Sequence, residues 1–272
     1  MENLNDKLRK FSETLGKKLD SGPAMDYQSL RKVYELQANQ DIQLAQQKAR
    51  VDRVATLQGK SDLNPKWRFE NLELDSPDVV EAVSIAKSFI AAHQDSSWRE
   101  SGSHLMLFYG DYGRGKSHIA GAIAHELINE HEITVLYRQL SSLLELRTFS
   151  WDYKAQDNVG EKFREINKDL IEVDLLILDE VCVNETQLNK NSQSWLGNLL
   201  RQRLANKKNC ILITNHGLPQ LQNALGQYCF ESIKEYDTYK VKFSGPSRRD
   251  SLSDEYSGYS DTNTGYRPNQ VK

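Results

Sequence analysis

Residues 105–127 read "LMLFYGDYGRGKSHIAGAIAHEL": a short apolar run, three glycines and a lysine, then apolar residues at helical spacing. The run has the length of a buried strand and the second pattern has the period of a helix, so a glycine-rich turn must join the two. In that turn Gly110, Asp111, Tyr112, Gly113, Arg114, Gly115, Lys116 and Ser117 fit G-x-x-x-x-G-K-[ST]. Glycines let successive backbone N–H groups converge on phosphate oxygens, and the following helix adds its positive end. Lys116 is placed to bridge β- and γ-phosphates, and the Ser117 hydroxyl to ligate Mg²⁺. His118 joins the candidate nucleotide-binding set by position, although no metal-ligand spacing links it to His216.

The same alternation continues along the chain. Helices are expected over 77–93, 116–130, 140–147, 159–171, 188–206 and 218–226, and strands over 104–109, 133–138, 174–179 and 210–214. Strands alternating with helices give an α/β fold with a parallel sheet covered on both faces.

A phosphate cradle needs a metal carboxylate before it can do more than bind. "VDLLILDEV" supplies one, a buried strand ending in Asp179 and Glu180. Carboxylates at the C-terminal end of a parallel strand face the ligand crevice. Asp179 is read as the Mg²⁺ residue and Glu180 as the base that deprotonates the attacking water. "CILITNH" ends another buried strand in Thr214 and Asn215, where an amide could hold the same water. Asn also ends strands for purely local reasons.

The N-terminal region is different in kind. After a first helix over 4–19 and a turn at "DSGPAMD", residues 29–57 run without Gly or Pro and are rich in Gln, Ala, Leu, Lys and Arg. Leu30, Val33, Tyr34, Ile42, Ala45, Ala49, Val54 and Leu57 form a stripe too thin to bury a core of its own. Such a helix lies on its own domain or docks on another protein. Residues 1–58 are taken as a helical arm, 59–75 as a linker, 76–249 as the catalytic domain and 250–272 as a polar disordered tail.

Composition sets the setting. There is no apolar run long enough to span a membrane and no apolar signal core, so a cytoplasmic protein is expected. The three cysteines suit buried thiols. A formal net charge of −3 confines any nucleic-acid contact to a local patch. "LRTFSWDYKAQ" offers one: Arg147, Phe149, Tyr153 and Lys154 interleave aromatic and basic groups, as single-strand stacking requires. The same aromatics equally suit folding this loop onto the domain, Trp151 above all.

The phosphate loop, "VDLLILDEV" and "ILITNH", preceded by "RFENLELDSPDVVEAVSIAKSFI", resemble the DnaC family of bacterial helicase loaders within the AAA+ ATPases. The likeness runs from about Ser29 to Arg249, and its specificity comes from the N-terminal helix and the "FEN" entry at Phe69. It implies a P-loop AAA+ domain with a five-stranded parallel sheet, one strand more than the pattern gives. It also implies ATP and Mg²⁺ as cofactors, a DnaB-like hexameric helicase held by the N-terminal arm, single-stranded DNA bound at Phe149, and side-by-side self-association. Arg249, or Arg248 one place earlier, matches the family's second-sensor arginine. Where the family carries a trans-acting arginine finger this chain has Ser232, with Lys234 nearby, which implies weak hydrolysis. Two other functions stay open: an IstB-like transposition helper, and a nucleotide-gated adaptor with little turnover.

Overall fold

The computed structural model describes residues 27–93, 95, 97–98, 103–131, 133–151, 158–182 and 187–248. The expected first helix over 4–19 and the tail over 250–272 lie outside them. The chain divides into two units, Met1–Arg50 and Val51–Lys272. Helix α1 (Tyr27–Gly59) contributes to both. In the first unit Tyr34, Leu36, Ile42 and Leu44 are exposed along it. None of the described helices is long and apolar enough to cross a membrane.

The second unit is built on a parallel sheet of β1 (His104–Gly110), β2 (Val135–Gln139), β3 (Leu175–Asp179), β4 (Asn209–Ile213) and β5 (Asp237–Phe243), ordered β2-β3-β4-β1-β5. β3 and β4 are buried at every residue, which requires cover on both faces. The side-chain period of two sorts the residues between them. Met106, Phe108, Tyr137, Ile177 and Ile211 pack with Val79 and Ala86 of α2 (Pro77–Ala92) and with Ile119, Ile123 and Leu127 of α3 (Lys116–His131). Leu107, Leu136, Leu176, Leu178 and Leu212 pack on the other face. Their partners there are Leu143 of α4 (Leu140–Phe149), Leu170 of α5 (Val159–Glu172), Leu196 of α6 (Lys190–Ala205) and Leu225 of α7 (Leu218–Lys234).

The fifth strand that the resemblance implied, and two further segments, lie beyond the apolar pattern of the sequence. The fifth strand is "DTYKVKF", which has no apolar run. It is an edge strand that buries only Val241 and Phe243 and exposes Lys240 and Lys242, as edges that avoid further pairing do. The last helix does not stop at 226 but continues to Lys234. It passes through Gly226, whose φ of 73° and ψ of 160° kink it.

Residues 60–71, expected as linker, lie against the domain. The Asp62 N–H donates to the Tyr137 carbonyl at 2.9 Å, and the Tyr137 N–H donates to Ser61 Oγ at 3.1 Å. Farther on, the rings of His125 and His118 donate to the carbonyls of Asn64 and Arg68, at 2.9 and 2.8 Å. Trp67 covers Gly121, where a Cβ would come within 2.7 Å of its ring. His118, Gly121 and His125 recur at helical spacing, so one face of α3 holds the whole segment.

Candidate functional site

β1 ends at Gly110, whose φ is 113° and where an added Cβ would sit 2.0 Å from the Phe243 carbonyl oxygen. Only glycine can make this turn. The chain then loops through residues 111–115 and enters α3 at Lys116. The Lys116 side chain is buried, and its ammonium donates to the loop's own carbonyls at Gly110 and Asp111. A buried ammonium in a glycine-rich loop that opens a helix is what an anionic ligand requires.

Arg114 takes a different part from the one its place in the motif suggests. Its guanidinium is buried, donating to Ser76 Oγ at 2.7 Å, Asp78 Oδ1 at 2.8 Å and the Pro246 carbonyl at 3.0 Å. It clips the loop to the start of α2 and to the chain after β5. Burial raises the Asp78 carboxyl pKa, but hydrogen bonds from Arg114, Ser76 and the Ser244 N–H outweigh that effect and lower it to about 2. Two more bonds complete this seam: the Gly245 N–H donates to Asp111 Oδ2 at 2.8 Å, and the Arg248 N–H to the Gly113 carbonyl at 3.0 Å.

Asp179 ends β3 beside the loop and is buried. Its Oδ1 accepts the Glu180 N–H at 2.7 Å, and its Oδ2 accepts the phenol O–H of Tyr137. Glu180 has a φ of 54°, a left-handed conformation that a non-glycine residue adopts only when its surroundings impose it. One cleft of about 410 Å³ brings together Gly113, Arg114, Gly115, Lys116, Ser117, His118, Asp179, Glu180, Asn215 and Arg248. Trp67, Asn71, Leu72 and Glu73 of the entry segment form another part of its wall. Tyr112 is exposed on the loop. The residue set fits a nucleoside triphosphate with a divalent ion: a turn only glycine permits, a buried ammonium, and a hydroxyl and a carboxylate that are hard oxygen donors.

A family model described as IstB-like ATP binding protein matches residues 40–232, more than half of the chain. The chain belongs to the IstB-like ATP-binding proteins. Among relatives it is 26% identical over 210 residues to the uncharacterized protein YdaV of Escherichia coli strain K12, covering 77% of this chain and 79% of that one. It is 22% identical over 201 residues to the replicative helicase loader DnaC of the same strain, covering 74% and 76%. A crystal structure of the DnaC helicase loader superposes with a TM-score of 0.54 at 18% identity, over 66% of this chain and all of that one (100%), so the AAA+ fold is shared.

Other expected residues of this IstB-like chain are less closely tied to the cleft. Arg248 lines the cleft, but its guanidinium is bound to Asp75, at 3.1 and 2.8 Å, and to the Glu73 carbonyl. Arg249, Tyr153 and Lys154 lie outside the described residues. Phe149 is exposed at the end of α4. The Arg147 guanidinium lies 4.3 Å from the Trp151 ring centroid and 5.7 Å from that of Trp195, and burial lowers its pKa. Arg147 thus links Trp151 to Trp195 of α6. The sequence reading missed Trp67, Leu72 and Tyr137. The first two sit in a segment read as linker. Tyr137 could have been found only by pairing β2 with β3.

Proposed function

We propose that this chain is an ATP-dependent loader that holds a replicative hexameric helicase of the DnaB type and delivers it onto single-stranded DNA. The observation that carries this reading is its similarity, over most of both chains, to a replicative helicase loader. In the cleft, Lys116 and the loop N–H groups bind the triphosphate, while Ser117 and Asp179 hold Mg²⁺. The ion neutralises phosphate charge when bound. Glu180 takes the proton of the attacking water and Asn215 orients that water. Trp67 and Leu72 give the nucleotide an apolar wall. Arg248 or Arg249 reads the γ-phosphate end of the cleft. Residues 1–58 dock on the helicase, and Phe149, with Arg147, Tyr153 and Lys154 around it, stacks on single-stranded DNA. Copies associate side by side, and hydrolysis is weak.

The test is co-elution of the full chain with purified replicative helicase in the presence of ATP and Mg²⁺. Loss of the complex when residues 1–50 are removed, with ATP binding retained, is the expected result; a complex that survives removal places the contact on the second unit. The IstB-like family supports a second reading, a transposition helper. It predicts ATP-dependent binding to duplex DNA without helicase. An adaptor gated by nucleotide alone would bind helicase and ATP but show no turnover above that of Glu180→Gln.

A further inference from the structure

We propose that Tyr137 is a positioning residue that fixes the metal-binding carboxylate of Asp179 through its phenol O–H and thereby sets how much Mg²⁺ the cleft needs. The inference rests on reading the cleft as a nucleotide and Mg²⁺ site. It starts from register. Tyr137 is paired with Ile177 across β2 and β3, so Asp179, two residues on, projects from the same face of the sheet. A diagonal neighbour of this kind is within reach of a tyrosine side chain and beyond that of most smaller ones. The phenol is almost fully buried (1% exposed), backed by the Trp67 ring at 5.5 Å, and donates to Asp179 Oδ2. A carboxylate oxygen only accepts, so the phenol O–H is the donor in this bond.

One group therefore holds the carboxylate expected at the metal. With Tyr137 on Oδ2 and the Glu180 N–H on Oδ1, each carboxylate oxygen keeps one acceptor direction and the carboxylate plane is fixed. Without the phenol, the Asp179 carboxylate can rotate out of that plane. Partners that orient a metal ligand typically change metal affinity by about 10- to 100-fold when removed.

The experiment titrates a fluorescent ATP analogue against full-length wild type and Tyr137→Phe, first in EDTA and then across Mg²⁺ concentrations. The expected result is metal-free affinity unchanged within about twofold and a Mg²⁺ midpoint raised about 10-fold or more. In an Asp179→Asn background the Tyr137→Phe change should have no further effect on the midpoint, because the phenol acts through the carboxylate. An unchanged midpoint in Tyr137→Phe overturns the proposal. So does a loss of affinity that is equal with and without Mg²⁺, which is what a purely structural role would give. Should Tyr137→Phe not fold, Tyr137→Met, which fills the site beside Trp67 without the oxygen, takes the same readout. Wild type that binds no nucleotide under any condition would overturn the nucleotide reading itself, a separate failure.

Discussion

At single residues, the cleft contains groups whose roles separate cleanly by substitution. Lys116→Ala removes a buried ammonium, and loss of a charge-assisted hydrogen bond of about 1.5–3 kcal/mol corresponds to at least a 10-fold drop in ATP affinity. Equilibrium titration with a fluorescent analogue measures it. Glu180→Gln keeps the shape and removes the proposed base, so binding should persist while phosphate release falls to background. Asp78 makes a pH prediction. Its folded pKa of about 2 lies below the ordinary 3.8, so the clip to Arg114 contributes stability that is fully present above the ordinary value and is lost as pH falls toward 2. Asp78→Asn should be less stable than wild type at pH 7, and the gap should close between about pH 4 and pH 2. Urea midpoints across that range decide it; a gap that stays constant with pH would mean the carboxylate charge is not what Arg114 needs. Burial raises Cys182 and Cys229 to about 12, which keeps both as thiols at neutral pH.

At the scale of elements, α7 corrects one expectation. Ser232 is fully buried in it and donates to the Tyr228 carbonyl at 3.1 Å. Position 232 therefore points into the domain, and an arginine there would not present a finger to a neighbour. Ser232→Arg should destabilise the fold by roughly 3 kcal/mol or more, the cost of forcing a large unpaired charge into a packed site, and should not raise turnover. Lys234, on the same helix, is exposed and paired with Glu231 at 2.8 Å. Gly226 is the hinge of the element. An alanine there would meet both a positive φ and Gln193 Oε1 at 2.4 Å, so Gly226→Ala should cost about 2 kcal/mol in denaturant unfolding. The helix pattern was legible up to this glycine. Beyond it "QYCFESIK" continues the helix only because Cys229, Ser232 and Ile233 find a core to bury in.

For the molecule as a whole, the division between units falls inside α1 and not at the expected linker. Leu57 is 1% exposed in the core, and Arg53 and Lys60 donate to the buried Asp169 at 2.6 and 2.8 Å. A fragment of residues 51–272 should match the full chain in thermal stability and ATP binding. One starting at Asp62 loses Leu57 and both cations, leaves Asp169 buried without them, and should be less stable by several kcal/mol. Equal melting temperatures for the two fragments would contradict this. The sequence alone determined the strand–loop–helix at the cleft, the acidic end of β3, the polar end of β4 and the parallel α/β class. Each of these rests on local spacing, either a hydrophobic period or a glycine demanded by backbone geometry. Only the tertiary structure decided the rest. It joined β5 to β1, laid residues 60–71 along α3, turned Arg114 into a clip and set Tyr137 on Asp179. All of these are contacts between residues far apart in the chain, and no local pattern encodes which distant partner will satisfy a buried donor or cover an apolar face.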